Sequence, residues 1–362
     1  MTKSKIVISG YYGFKNAGDE AMLYSILRAV RSIDPEAEVT VISGRPEQTE
    51  KAFGVKAVPR FGGVSILSKL LSCDVLISGG GSLLQDVTSS RSCMYYLSLI
   101  LAGAILGKKV MLYAQGIGPI HRPWVSRVTR FVLSKADAIT VRDETSEQFL
   151  RDIGVTAPIR TTADSVFFLT KENTEKGKEI LRAAGVPENK KIVGLSVRNW
   201  KEADLWGKAF GRYIEKLADE DVSVVFIPMQ RPDDGDMARK ICPDAKENVY
   251  FLEGSYRVDE LMSLVGCLDL LVGMRLHALI FAALSHIPMI GISYDPKIDN
   301  FLSSVGQEAI FPIEEFDADM LYNSSVKYLC GNEPIHQEKT DALQKKAAET
   351  VAILETLMKG AK

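Results

Sequence analysis

Ten short aliphatic runs, most followed by a turn and then a helical stretch, restrict this chain to few architectures. In the first half they are Lys5–Ser9, Val39–Ser43, Asp74–Ser78, Lys109–Ala114 and Ala138–Arg142. In the second half they are Lys191–Val197, Val222–Pro228, Val249–Leu252, Leu268–Val272 and Met289–Ser293. Strands that are apolar on both faces belong in a parallel sheet covered by helices on each side. Helices are expected between them: Glu20–Ile33, with Leu23, Ile26, Leu27, Val30 and Ile33 on one face, then Cys93–Gly107, Trp124–Ser134, Trp206–Glu220 and Val258–Val265. The alternation predicts an α/β fold assembled from βαβ units.

A chain of 362 residues has room for two cores. The charged stretch Thr170–Lys190, with its own helix at Glu175–Ala184 and then Gly185 and Pro187, marks the boundary. This divides the chain into domains at 1–170 and 186–335, with a tail at 336–362. From Gln337 to Lys359, Leu343, Ala347, Val351, Leu354 and Met358 recur at helical spacing and predict an amphipathic helix. It either caps the second domain as an edge helix or crosses back onto the first.

A net charge of −2 gives no footing for a nucleic-acid partner, so any anionic ligand has to be held by local cations. Five scattered cysteines (Cys73, Cys93, Cys242, Cys267 and Cys330) contain no Cys-x-x-Cys spacing. They suit neither a disulfide framework nor a zinc site, and they fit a reducing, cytoplasmic setting. The N-terminus enters a strand without the apolar region of a signal peptide. The apolar run Cys93–Gly107 falls short of the roughly 18 residues a membrane span needs. It reads as a core helix, with peripheral contact at the inner face of the membrane left open.

Ligands of open α/β sheets gather beyond the carboxyl ends of the strands. In Leu268-Asp-Leu-Leu-Val-Gly273-Met-Arg275-Leu-His277, a strand turns at Gly273 into a helix. The turn carries a fixed cation and a side chain that titrates near neutrality. If the backbone is still extended there, the two side chains point the same way; if the helix has begun, its first amides face the same space. Either geometry offers a place for phosphate or carboxylate beside a proton donor. The same residues also fit an Arg against an acid and a His bonded to a backbone carbonyl. Arg198 ends another strand and Lys297 follows a third. Singly each is a solvated surface charge; clustered, they suit a small, multiply charged anion.

In the first half, Gly10-Tyr-Tyr-Gly13-Phe-Lys-Asn16-Ala-Gly18-Asp19-Glu20 permits a tight turn but lacks the dinucleotide spacing. Its two acids at a helix start make a poor phosphate cradle and suit sugar hydroxyls better. Ser78-Gly79-Gly80-Gly81-Ser82 is costly to order and is expected to face a ligand. Gln115-Gly-Ile-Gly-Pro119 ends the next strand in the same manner. There is no P-loop, no His-x-x-x-His pair and no metal set.

Together with Val141-Arg-Asp-Glu144, Ala163-Asp164-Ser-Val-Phe167 and Gly273-Met-Arg-Leu-His-Ala278, these stretches resemble the polysaccharide pyruvyl transferases, in the family's order and over most of the chain. The likeness is greatest to the bacterial cell-wall-polymer type, CsaB. The resemblance implies two facing Rossmann-like domains, similar to the GT-B glycosyltransferases, with a cleft between them. It implies phosphoenolpyruvate as donor, no cofactor, and a pyruvate ketal formed across two sugar hydroxyls. In the cell-wall-polymer type that sugar is an N-acetylmannosamine in a lipid-linked precursor. By the same resemblance His277 is the catalytic acid and Arg275 a donor contact. Arg198 and Lys297 are further donor candidates, and Gly13, Asn16, Asp19, Gly80, Gly81 and Gln115 fall on the acceptor or cleft side.

Two other functions use the same features. A nucleotide-sugar glycosyltransferase would hold its donor ribose with carboxylates, and residues 275–285 contain none. A non-catalytic binding protein for an anionic sugar needs the cations but no histidine.

Overall fold

The computed structural model describes residues 3–87, 89–201, 203–218, 220–243, 247–307, 311–315, 317–331 and 336–361. The chain forms two units, Met1–Leu169 with Ala342–Lys362, and Thr170–Asp341. Both are Rossmann-like, with parallel sheets between helical layers.

In the first unit the strands are β1 (Lys5–Ser9), β2 (Glu38–Ser43), β3 (Lys56–Pro59), β4 (Val75–Ser78), β5 (Gly81–Leu84), β6 (Lys109–Ile117), β7 (Ala138–Val141) and β8 (Ile159–Thr161). They lie in the order β3-β2-β1-β4-β6-β7-β8, with β5 beside β6. Helices α1 (Ala17–Ile33) and α2 (Pro46–Phe53) connect the first three strands. The strands from β3 to β8 are linked by α3 (Gly63–Ser72), α4 (Ser90–Ile105), α5 (Pro123–Leu133) and α6 (Glu144–Asp152). Leu23, Ile26, Leu27 and Val30 of α1 pack on one side of the sheet. Ile66 and Leu70 of α3, Tyr96 and Ile100 of α4, Val125 and Val132 of α5 and Leu150 of α6 pack on the other. The strand order reverses between β1 and β4, which marks their carboxyl ends as the natural binding position.

The second unit opens with α7 (Glu175–Ala183) and has strands β9 (Lys191–Ser196), β10 (Val222–Phe226), β11 (Val249–Phe251), β12 (Leu270–Gly273), β13 (Met289–Ser293) and β14 (Phe311–Pro312). Their order is β11-β10-β9-β12-β13-β14, reversing between β9 and β12. The crossovers are α8 (Ala203–Ala218), α9 (Asp233–Ile241), α10 (Val258–Val265), α11 (Leu276–Ser285) and α12 (Pro296–Ser304), followed by α13 (Ala318–Leu329). The unit begins at Thr170 rather than 186 because α7 is bound to α10. The Gly177 amide donates to Ser263 Oγ at 2.7 Å, and a Cβ there would lie 2.4 Å from the Ser263 carbonyl oxygen. Residues 332–335, at the expected end of the second domain, lie outside the described residues.

The final helix, α14, spans Gln337–Gly360, and from Ala342 onward it belongs to the first unit. Leu354 and Met358 join the cluster formed by α1. Thr350 donates to Thr162 at 2.8 Å, and Arg160 pairs with Glu349 at 2.8 Å. The buried row is Ala347, Thr350, Leu354 and Met358, while Leu343 and Val351 are only half-buried. The apolar pattern thus gives the facing side of the helix and misses the hydroxyl pair within it.

Candidate active site

The carboxyl edge of the second sheet collects the four expected residues. β9 and β12 are neighbours in register, Gly273 opposite Ser196, and the Met274 amide donates to the Ser196 carbonyl at 2.8 Å. Arg198 and Arg275 each follow two residues after that matched pair, on either side of the point where strand order reverses. Arg275 is the N-cap of α11, with extended backbone and no side-chain cap, and His277 stands half-buried in the first turn. The first amides of α11 and the positive end of its dipole therefore face the space beside both side chains. Lys297 lies in the first turn of α12, behind β13.

Each cation has a partner that orients it. Arg275 forms a fork with Asp234, through Nε to Oδ2 at 3.1 Å and Nη2 to Oδ1. Asp234 is buried at the start of α9 and also accepts the amides of Met229 (3.0 Å) and Gln230 (2.8 Å). Burial pushes its carboxyl up from the ordinary value; the Arg275 charge opposes this most, and the hydrogen bonds add to the opposition. Arg198 donates from Nη1 to Tyr294 Oη at 2.6 Å and lies 4.8 Å and 5.1 Å from the ring centres of Tyr294 and Trp200. Lys297 pairs with Asp295 at 2.9 Å and stands 5.5 Å from the Tyr294 ring centre. Tyr294 thus brings Arg198 and Lys297 together. Fixed charges of this kind bind an anion with little reorganisation.

Sequence reasoning missed Asp234, Tyr294 and Trp200 as orienting groups. Asp234 carries a readable signal: Arg231-Pro232-Asp233-Asp234 follows a strand, and a proline before acids opens a helix. Beside it an open hollow is lined by Arg231, Asp234, Arg239 and Phe251 among others.

At the edge of the first sheet the expected acceptor residues have duties within the fold. Gly13 takes φ +81°, and a Cβ there would lie 2.3 Å from Ser43 Oγ. Asn16 caps α1 by accepting from the Gly18 amide at 3.0 Å. The bare backbone of the triple glycine makes room for other parts of this chain. A Cβ on Gly79 would lie 2.0 Å from Tyr12 Oη, and one on Gly80 would lie 2.7 Å from Met22 Sδ. Gly81 begins β5, close to Asp19, where a Cβ would lie 3.4 Å from Asp19 Oδ1. Gln115 is buried and its amide nitrogen donates to Ser78 Oγ (2.8 Å) and the Gly79 carbonyl (2.7 Å), so it braces this turn from beneath. Arg142 pairs with Asp164 at 3.2 Å and donates to Ser82 at 3.1 Å, while a Cβ at Gly116 would lie 2.7 Å from its guanidinium. Five of the resembling stretches therefore interlock here. Glu20 accepts the Gly13 amide at 2.8 Å, and burial pushes its carboxyl up to about 7. Among the described residues, no three His, Cys, Asp or Glu side chains converge as a metal site.

The family model for polysaccharide pyruvyl transferase matches residues 16–296. The amylovoran biosynthesis protein AmsJ of Erwinia amylovora is 23% identical over 262 residues, covering 66% of this chain and 61% of that protein. This chain thus spans less than two thirds of the relative's length. Among solved structures, the UDP-GlcNAc 2-epimerase of Methanocaldococcus jannaschii superposes with a TM-score of 0.69 at 13% identity, over 98% of this chain and 99% of that one. The ADP-heptose LPS heptosyltransferase II of E. coli gives 0.54 at 14% identity, over 91% and 100%. At such identities these likenesses show the fold, which is GT-B-like.

Proposed function

The chain belongs to the polysaccharide pyruvyl transferase family, and on that premise we propose that it moves pyruvate from phosphoenolpyruvate onto two hydroxyls of a sugar, closing a ketal and releasing phosphate. The observation that carries this reading is the grouping of Arg198, Arg275, Lys297 and His277 at one edge of one sheet, around the strand-order reversal. Phosphoenolpyruvate presents a carboxylate and a phosphate, and both call for oriented guanidinium and ammonium groups. Asp234 occupies Nε and Nη2 of Arg275 and leaves Nη1 for the donor.

His277 gives a proton to the methylene carbon, which becomes methyl as C2 turns electrophilic. The first sugar hydroxyl bonds to C2 and loses its proton. The second hydroxyl then displaces phosphate from C2 and loses its own proton, so the net products are ketal and inorganic phosphate. A positioned acid of this kind contributes roughly 10² to 10⁴ in rate. We place the acceptor as an N-acetylmannosamine of a lipid-linked cell-wall polymer precursor, met in the cytoplasm at the inner membrane face. The reaction needs no cofactor beyond the donor.

Thermal unfolding with phosphoenolpyruvate against UDP-N-acetylglucosamine and UDP-glucose tests the donor. Phosphoenolpyruvate at 100 times its Kd should stabilise the protein by about 2.7 kcal/mol. Stabilisation by a UDP-sugar and none by phosphoenolpyruvate would overturn the reading in favour of glycosyl transfer.

A further inference from the structure

We propose that the outward face of α3, α4 and α5 docks on an anionic phospholipid surface. Among the described residues, ten large apolar side chains stay exposed, and eight of them belong to this helical layer or its turns: Phe61, Val64, Leu67, Leu71, Val87, Ile105, Trp124 and Phe131. Several are almost wholly uncovered, with Phe61 at 85%, Val64 at 87% and Ile105 at 73% of full exposure. The three helices lie side by side, since their inward residues share one core cluster and Lys108, after α4, donates to the Leu71 carbonyl at the end of α3 at 2.8 Å. Tyr95 of α4 likewise donates to the Arg60 carbonyl, just before α3, at 2.9 Å. Eight exposed large apolar side chains gathered on one helical layer mark an interaction surface rather than ordinary solvent-facing protein.

The charge around it selects the partner. From Val87 to Ala136 the chain has no Asp or Glu and seven basic residues: Arg91, Lys108, Lys109, Arg122, Arg127, Arg130 and Lys135. None of the three helices contains an acid, and α3 adds Lys69. In a chain of net charge −2 this is a local excess. It stops at α6, which carries Glu144, Glu147 and Asp152. Along α5, Trp124, Arg127 and Phe131 project from the outer side, and Lys135 stands 4.7 Å from the Phe131 ring centre. Aromatic rings interleaved with Arg and Lys over an aliphatic base suit the headgroup boundary, with rings at the acyl edge and cations among lipid phosphates. A second copy of the chain would bring like charges together. A polyanion such as nucleic acid would leave Val64, Leu67, Leu71 and Ile105 uncovered.

The inference does not depend on the donor chemistry, and its test reads binding alone. The full chain is sedimented with phosphatidylcholine vesicles with and without phosphatidylglycerol, at low and high salt. The expected result is capture by the phosphatidylglycerol vesicles, weakened as salt screens the cations. Trp124→Ser with Phe131→Ser should lower partitioning about tenfold or more, because each buried ring is worth on the order of a factor of ten. Arg127→Glu with Arg130→Glu should lose the preference for anionic lipid. Lys51→Glu on α2, on the other side of the sheet, should change nothing. All variants alter exposed side chains, and an unchanged unfolding temperature confirms that they fold. No capture of the unmodified chain, or capture indifferent to both double variants, overturns the proposal. Concentration-dependent dimers abolished by Trp124→Ser with Phe131→Ser, without vesicle binding, overturn it in favour of self-association.

Discussion

Arg275→Ala should do more than weaken donor binding, because Arg275 is also the counterion of buried Asp234. After the substitution Asp234 keeps the Met229 and Gln230 amides at 3.0 Å and 2.8 Å but loses the guanidinium fork. Leaving one member of a buried pair uncompensated costs about 3–5 kcal/mol at neutral pH. For a unit the size of Thr170–Asp341, with about 2–4 °C per kcal/mol, the transition should fall by roughly 10 °C. Burial already holds the Asp234 carboxyl above its ordinary value, and removing Arg275, its strongest opponent, raises it further. A carboxyl whose folded value lies above its unfolded one contributes fully at low pH and loses that contribution as pH rises through the folded value. The deficit of Arg275→Ala should therefore grow between about pH 5 and about pH 8. Adding Asp234→Asn should recover most of it, since the stranded charge is gone. Unfolding curves of the four proteins of this cycle, at both pH values, give the coupling directly. The reasoning is refuted if Arg275→Ala matches the parent at the higher pH, or if Asp234→Asn recovers nothing. The double variant also separates folding from binding: it should fold and still lose about 2 kcal/mol or more of phosphoenolpyruvate affinity.

Three further outcomes are expected. Leu354→Ala, at a fully buried position in the first unit's core, should cost about 2–5 kcal/mol, read as earlier unfolding of that unit; an unchanged transition would make α14 a dispensable edge. Glu20 has a carboxyl pushed from 4.5 to about 7, so the first unit should lose stability as pH rises between those values, by up to about 3 kcal/mol. Glu20→Gln should flatten that slope, and an identical pH profile would contradict the burial argument. Tyr294→Phe removes the acceptor of Arg198 Nη1 and should weaken phosphoenolpyruvate binding about tenfold by titration calorimetry, with unfolding little changed; unaltered affinity would take Arg198 out of the donor site.

The ten expected strands were legible because each is a short, largely buried run ending in a change of composition, whereas β3, β5, β8 and β14, with only two to four residues each, were missed. Lys5–Ser9 and Met289–Ser293 match the structure at both ends. Strand order followed less directly, since pairings such as β1 with β4 join residues about seventy apart. The site cations were visible as charges at strand ends, yet their anchors were not: Asp234 meets Arg275 across 41 positions, and Tyr294 meets Arg198 across 96. The triple glycine shows how the same signal supports two causes. Sequence registers the cost of ordering it, whereas the reason, close approach of Tyr12 and Met22, lies more than fifty residues upstream. Thr350 was invisible for a related reason, because a buried hydroxyl pair has no apolar periodicity.

The central claim is proton delivery by His277 to the donor's methylene carbon, and product formed in heavy water tests it most directly. The protein, phosphoenolpyruvate and an N-acetylmannosamine-terminated acceptor are incubated in D₂O, and the new ketal methyl is read by proton NMR alongside released phosphate. The account predicts a CH₂D ketal formed in step with phosphate. It further predicts that His277→Gln binds donor within about 1 kcal/mol of the parent and turns over slower by about 10² or more. Ketal formed by His277→Gln at near the parent rate, or a donor consumed without a deuterated ketal methyl, would contradict it.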